Sequence, residues 1–103
     1  MPASSEPVSS SDAAVGVLVQ TVTLPKHLHA RPAGQLAQLA SRYQETAIEV
    51  LAAATGKRAN GRSVLAIMSL GAVTGTDVTV TATGPDAVAA LAAAVEILLA
   101  PED

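Results

Sequence analysis

Hydrophobic and polar residues recur along this chain with two periods, one typical of strands and one typical of helices. Apolar, mostly β-branched residues partly alternate with polar ones over residues 15–24, where Pro25 follows, and again over residues 47–52. Both segments predict β-strands. Between them, Leu36, Leu39, Ala40 and Tyr43 recur at the spacing of one helical face. This spacing predicts a helix over roughly residues 30–44.

The second half of the chain continues the succession of strands and helices. Residues 57–60 predict a short third strand, and Ser63 predicts the N-cap of a short helix over residues 64–70 that ends at Gly71. Valine then alternates with threonine, which predicts a fourth strand with one apolar and one solvated, hydroxyl-rich face. Residues 84–86 open a last helix, with Pro85 in its first turn and Pro101 after its end. Its buried stripe is expected to comprise Val88, Leu91, Ala92, Val95, Leu98 and Leu99. The order βαββαβα indicates an α+β domain.

Composition narrows the class of protein. The 103 residues suit one domain, and half of them are hydrophobic while only Tyr43 is aromatic, so we expect a core of Val, Leu, Ile and Ala with Tyr43 in it.

Residues 1–14 are polar and rich in Ser, Pro and Ala, which predicts a disordered extension, not a signal peptide, ahead of a domain over residues 15–103. No membrane span is expected, because the apolar run at residues 87–100 is shorter than the roughly 20 residues that a bilayer requires.

Charge and residue types exclude further classes. The net charge is −3, and the six basic residues are scattered without neighbouring aromatic rings, so a nucleic-acid surface is not expected. The chain has no cysteine, which excludes disulfides and thiolate metal sites and is compatible with a cytoplasmic location. His27 and His29 have no carboxylates close to them in sequence, so no metal site is predicted there.

The segment Leu28-His29-Ala30-Arg31-Pro32-Ala33-Gly34 combines residue types that suit a phosphoryl group. His29 stands at the predicted helix start, where the N–H groups of Ala30 and Arg31 precede the first intrahelical bond and the helix dipole favours an anion. Imidazole can act as a nucleophile near neutral pH, and the Arg31 guanidinium pairs with phosphate oxygens. Pro32 fits a first helical turn, where its N–H is not needed. On these residues alone, His29 is either a phosphoryl acceptor or a plain histidine, an N-cap or a solvent-exposed residue beside a proline.

This segment resembles the active-site motif of the HPr family, the histidine-containing phosphocarriers of bacterial phosphotransferase systems. A second segment, Gly56-Lys57 followed by residues 62–71, resembles the regulatory-serine region of that family, so the resemblance covers residues 16–99. It implies an open-faced β-sandwich, with a four-stranded antiparallel sheet and three helices on one face. It also implies that His29 carries the phosphoryl group on Nδ1 and that no metal or organic cofactor is needed. His27 departs from the glycine that the family usually has two positions before this histidine, and histidine reaches some backbone dihedrals only at a cost.

The resemblance further implies partners. Phosphorylated enzyme I would supply the phosphoryl group and IIA-type proteins would receive it for sugar uptake, so the chain would be a regenerated intermediate more than an independent enzyme. The residues implied in docking are Gly34, Gln38, Val64, Leu65 and Met68. The three on the short helix fit a core role equally well. Ser63 is either a regulatory site, on which a serine kinase/phosphorylase and then a transcription regulator would act, or only a helix N-cap. We expect a monomer.

Two other functions stay open at this point. The same carrier chemistry could serve a nitrogen-regulatory branch or a dihydroxyacetone kinase, and the motifs do not separate these destinations. A module that binds partners under the control of Ser63 phosphorylation is a hypothesis from another class. His29 counts against it, because such a module does not need a nucleophile.

Overall fold

Seven elements follow one another in the order that the sequence predicts. A computed structural model describes residues 16–100, and each element there begins and ends within about two residues of its predicted bounds. The elements are β1 (Gly16–Thr23), α1 (Ala30–Arg42), β2 (Ala47–Ala52), β3 (Arg58–Asn60), α2 (Val64–Ser69), β4 (Asp77–Gly84) and α3 (Ala87–Leu99). The extension predicted over residues 1–14 lies outside the described residues.

The sheet has β4 in its interior, since β4 pairs with both β1 and β2 in the strand order β1-β4-β2-β3. All pairings are antiparallel, and the register places Val80 between Gln20 of β1 and Val50 of β2. Val78, Val80 and Ala82 are buried while the threonines between them are half-buried, which confirms the predicted apolar and hydroxyl-rich faces. The helices cover the apolar face, and the fold is the open-faced sandwich that the resemblance implies.

The core consists of aliphatic side chains of modest size. α1 buries Leu36, Leu39 and Ala40, as its periodicity predicts. Tyr43 lies one residue past the end of α1 and packs against the core while it stays partly exposed. Valine and alanine of the sheet complete the layer beneath the helices, so helix and sheet can approach closely.

α3 buries only part of the predicted stripe, since Leu91 and Leu98 are buried and Val95 is half-buried against the core. Its buried residues are Ala87, Ala90, Leu91, Ala94 and Leu98. Val88 and Leu99 are instead 74% and 45% exposed, and Ala92 is exposed as well. The prediction followed the larger residues, but α3 is apolar on almost every side, so its periodicity does not select a face. Pro85 also lies ahead of the N-cap residue Asp86 and not in the first turn. Within residues 16–100, no helix combines the length and apolar character that crossing a bilayer requires.

The C-terminal end of α1 is held by one arginine. The Arg62 Nη2 donates to the carbonyls of Tyr43 at 2.7 Å and Gln44 at 2.9 Å, and its Nε donates to the carbonyl of Ala40 at 3.3 Å. Carbonyls at a helix end lack regular intrahelical partners, so a forked cation is well suited to them. Arg62 immediately precedes Ser63, the N-cap of α2, and the two residues therefore fix one end of each helix.

Candidate functional site

His29 lies at the N-terminal boundary of α1. Its backbone is extended, with φ −89° and ψ −166°, and its carbonyl accepts the first intrahelical bond from the Ala33 N–H at 3.0 Å. The imidazole accepts no capping bond from the helix. His29 thus occupies the N-cap position through its backbone, without a capping bond from its side chain to the helix.

The first turn of α1 has the composition of an anion site. The N–H groups of Ala30 and Arg31 precede the first intrahelical bond, and both residues are exposed. Pro32 is the third helical residue, where the missing N–H removes no helical bond. No acidic residue lies in this turn, so no carboxylate of the turn opposes the positive end of the helix dipole. The imidazole, the helix start and the Arg31 guanidinium thus belong to one exposed end of α1.

Residues 24–28, which we call the acceptor loop, lead from β1 to His29 and are tied to residues 72–76. Three backbone hydrogen bonds of 2.8–3.0 Å join the two segments, from the Leu24 N–H to Thr76, from the Gly75 N–H to Leu24 and from the Leu28 N–H to Ala72. Leu24 and Leu28 are also buried in the core. The backbone on the N-terminal side of His29 is therefore held in place at Leu24 and at Leu28.

His27 adds a side-chain contact to this loop. Its Nδ1 accepts a hydrogen bond from the Thr74 N–H at 3.1 Å, so the ring is directed at residues 72–76. The histidine in place of the family's usual glycine therefore gives the loop a tie that glycine cannot form. In the described part of the chain, residues 16–100, no three His, Asp or Glu side chains gather as metal ligands.

Ser63 is the N-cap of α2, as predicted. Its Oγ accepts a hydrogen bond from the Ala66 N–H at 3.1 Å. The apolar residues that follow it divide between core and surface, because Val64 is half-buried against the core whereas Leu65 is 78% exposed and Met68 is 41% exposed. Two large apolar side chains of this short helix therefore face solvent, where they contribute nothing to the core.

A shallow depression of about 640 Å³ lies between α1 and α2. It is lined by Gly34, Ala37, Gln38, Ser41, Arg42 and Val64. A Cβ added at Gly34 would meet nothing within 4 Å, so the backbone of α1 is open to close approach there. Three of the five predicted docking residues thus line one depression, and the other two are exposed on α2. We call these five residues, Gly34, Gln38, Val64, Leu65 and Met68, the α1–α2 surface.

Two cations near these elements have contacts that we did not predict. Lys26 is 4% exposed, and its Nζ donates to the carbonyl of Ile97 at 2.8 Å. The sequence contains a signal for its burial, since the alternation of β1 continues past the strand through the buried residues Val22, Leu24, Lys26 and Leu28. Arg62 has no such signal, because the carbonyls it contacts lie 16 to 22 residues away in sequence.

Comparison with known proteins agrees with this fold. An open-faced α+β sandwich with a histidine at a helix start is typical of the small histidine-containing phosphocarriers. Residues 19–99 match the family model described as PTS-HPr, the PTS HPr component phosphorylation site. The chain belongs to the HPr family, the phosphocarriers of the phosphotransferase system.

Solved structures of similar proteins cover most of the chain. The phosphocarrier protein HPr from Bacillus anthracis is 33% identical with a TM-score of 0.71, over 80% of this chain and 96% of that one. HPr from Thermoanaerobacter tengcongensis is 32% identical with a TM-score of 0.66, over 81% and 90%. Bacillus subtilis Crh, a catabolite repression protein described as a domain-swapped dimer, is 35% identical with a TM-score of 0.63, over 75% and 85%.

Proposed function

We propose that this chain is a cytoplasmic, monomeric carrier whose His29 accepts a phosphoryl group from phosphorylated enzyme I and passes it to IIA-type proteins. The Nδ1 lone pair attacks phosphorus while the bond from phosphorus to the donor breaks. In the second step the acceptor protein forms a bond to the same phosphorus while the bond from phosphorus to Nδ1 breaks. One observation carries the proposal. It is a histidine at the N-terminal boundary of α1, directly before the exposed N–H groups of Ala30 and Arg31, in a member of the HPr family.

The charge distribution at the start of α1 supports this role. A phosphoryl group brings about −1.5 to −2 charges, to judge from other phosphorylated side chains. The N–H groups of Ala30 and Arg31, the Arg31 guanidinium and the helix dipole, which amounts to about half a positive charge, all favour that anion. Phosphoryl transfer depends mostly on positioning and charge stabilisation, which are the two contributions that this end of α1 can make.

We propose that the α1–α2 surface docks the donor and the acceptors in turn. Its exposed apolar side chains, Leu65 and Met68, lie beside a depression that includes Gly34 and Gln38. Exposed apolar residues next to open backbone suit a transient partner, because they add little to the stability of the free protein. One surface that serves both partners would explain why a carrier binds them one after the other.

A regulatory role through Ser63 is a second candidate, favoured by the similarity to Crh. Ser63 directly precedes the residues of α2 that contribute to the α1–α2 surface. A phosphate on Ser63 would add about 1.5 to 2 negative charges beside Leu65 and Met68, and it would weaken docking of an apolar partner surface. A chain phosphorylated on Ser63 should then show a raised KM for phosphorylated enzyme I, whereas an unchanged KM would contradict this role.

The carrier role is tested with enzyme I and radiolabelled phosphoenolpyruvate, measuring both the end point and the rate of acid-labile labelling. The wild type and His27→Ala should each reach one phosphoryl group per chain, and His29→Ala should reach none. Arg31→Ala should be labelled more slowly, because the guanidinium no longer holds the transferred charge, while the matched exposed arginine variant Arg58→Ala should keep the wild-type rate. Label on His29→Ala would move the site elsewhere, and a wild-type rate for Arg31→Ala would remove the role of this residue.

A further inference from the structure

Lys26 is a buried cation that the carrier chemistry described above does not use. It lies in the acceptor loop, three residues before His29, and is 4% exposed. Burial of an ammonium group is costly unless polar partners replace its water. Its Nζ donates to the carbonyl of Ile97 at 2.8 Å, so the buried charge has at least one strong acceptor.

The acceptor that Lys26 contacts belongs to the C-terminal end of α3. Ile97 is among the last residues of that helix, whose carbonyls lack regular intrahelical donors and carry the negative end of the helix dipole. α3 has no basic residue in its own last turn. Lys26 therefore supplies from the acceptor loop the cation that helix C-termini usually take from their own sequence.

Together, these contacts hold the acceptor loop on two sides. Leu24, His27 and Leu28 bond to residues 72–76, which follow α2, and Lys26 bonds to the end of α3. The Lys26 contact joins the loop to the helix layer by bringing a positive charge to the negative end of α3. Loss of this contact would leave the backbone bonds in place but would allow the segment next to His29 to shift relative to α1 and α3.

We propose that Lys26 is a positioning residue for phosphoryl transfer, which sets the place of the His29 imidazole by tying the acceptor loop to the Ile97 carbonyl at the C-terminal end of α3. The inference rests on the proposed carrier function. It assigns to Lys26 no contact with the phosphoryl group. Near-attack geometry is sensitive to shifts of an ångström or less, so the transfer step and not partner docking should respond to the loss of this tie.

The test replaces Lys26 with methionine, which has a similar length but no donor. With enzyme I as donor, Lys26→Met should lower kcat for labelling of His29 by about tenfold and leave KM within about twofold, because the α1–α2 surface is unaltered. Lys26→Gln, which keeps a donor without the charge, should recover part of the lost rate. The chain's other lysine gives a matched control, since Lys57 is exposed in the turn before β3 and Lys57→Met should change neither parameter.

A second measurement separates positioning from a general loss of structure. In ¹H–¹⁵N spectra of the full chain, Lys26→Met should shift the His29 ring nitrogens and the amides of Ala30, Arg31 and Ala100, while signals from β3 stay in place. A wild-type kcat for Lys26→Met, or an equal change in kcat and KM with shifts spread over the whole spectrum, would overturn the inference. If the wild type itself takes up no label on His29, the proposed carrier function fails, which is a different outcome.

Discussion

The hydrogen bonds from Arg62 to carbonyls at the C-terminal end of α1, which we call the Arg62 clamp, should contribute measurably to stability. In the Arg62→Met variant, the carbonyls of Tyr43 and Gln44 lose donors at 2.7 and 2.9 Å, and the carbonyls of Ala40 and Thr46 lose longer contacts at 3.3 and 3.5 Å. Hydrogen bonds to a charged group contribute about 1.5 to 3 kcal/mol each when they are buried. The Arg62 side chain is exposed, so water can replace part of what is lost, and the two long contacts add little.

The free energy of unfolding should therefore fall by about 2 kcal/mol in Arg62→Met, since two short contacts at partly solvated carbonyls are lost. For a domain of this size, each kcal/mol corresponds to about 4 to 8 °C in Tm, so we expect Tm to fall by roughly 10 °C. Thermal and urea unfolding followed by far-UV circular dichroism measure both quantities. Arg62→Lys should recover less than half of the loss, because an ammonium cannot contact several carbonyls in one plane.

Arg58 provides the matched control for this prediction. It is an exposed arginine on β3 whose Nη1 lies 3.8 Å from Oε1 of Glu49, a separation too long for a strong pair. Surface pairs of this kind contribute about 0 to 1 kcal/mol, so Arg58→Met should lower the free energy of unfolding by no more than about half of the loss expected for Arg62→Met. Equal losses in Arg58→Met and Arg62→Met, or a wild-type Tm for Arg62→Met, would refute the clamp.

Two glycines should respond to alanine in opposite directions. Gly84→Ala should lower the free energy of unfolding by more than about 3 kcal/mol, because Gly84 has φ +144° and its new Cβ would lie 2.5 Å from the Glu45 carbonyl oxygen and 2.6 Å from Thr46 Cα. Gly34→Ala should raise it by about 0.5 to 1 kcal/mol, since this helical position has open space, and should raise KM for enzyme I by covering the α1–α2 surface. Urea unfolding and labelling kinetics measure these effects, and a stabilised Gly34→Ala with unchanged KM would remove Gly34 from the docking surface.

The parts of the fold that the sequence predicts well are those set by local chemistry. The sequence places His29 at the start of α1 and predicts Ser63 as the N-cap of α2, because a helix start depends on residues within one turn of it. The alternation of valine and threonine in β4 likewise fixes its two faces without reference to any other strand. Strand order has no comparable local signal, and the sheet architecture of this chain is predicted from the resemblance to a family.

α3 shows how a local signal can fail even when a helix is predicted correctly. Its sequence is so rich in Ala, Val and Leu that several rotations about its axis would bury a comparable apolar stripe. In the fold, α3 packs against β1, β4 and α1, and the side that it buries includes the small residues Ala87, Ala90 and Ala94. The larger Val88 then points to solvent.

Four residues near the candidate site contact helix ends, and these contacts differ in how far they reach along the chain. Ser63 caps α2 through a residue three positions away, and His29 accepts the first bond of α1 from a residue four positions away. The C-terminal ends are served from much farther, since Arg62 reaches back 22 residues to α1 and Lys26 lies 71 residues before its partner in α3. A helix start can be satisfied by its own first turn, whereas the carbonyls at these two ends receive a cation that only the folded chain brings to them. A motif can therefore predict the residue proposed to accept the phosphoryl group, whereas the long-range contacts of Lys26 and Arg62 are seen only in the folded chain.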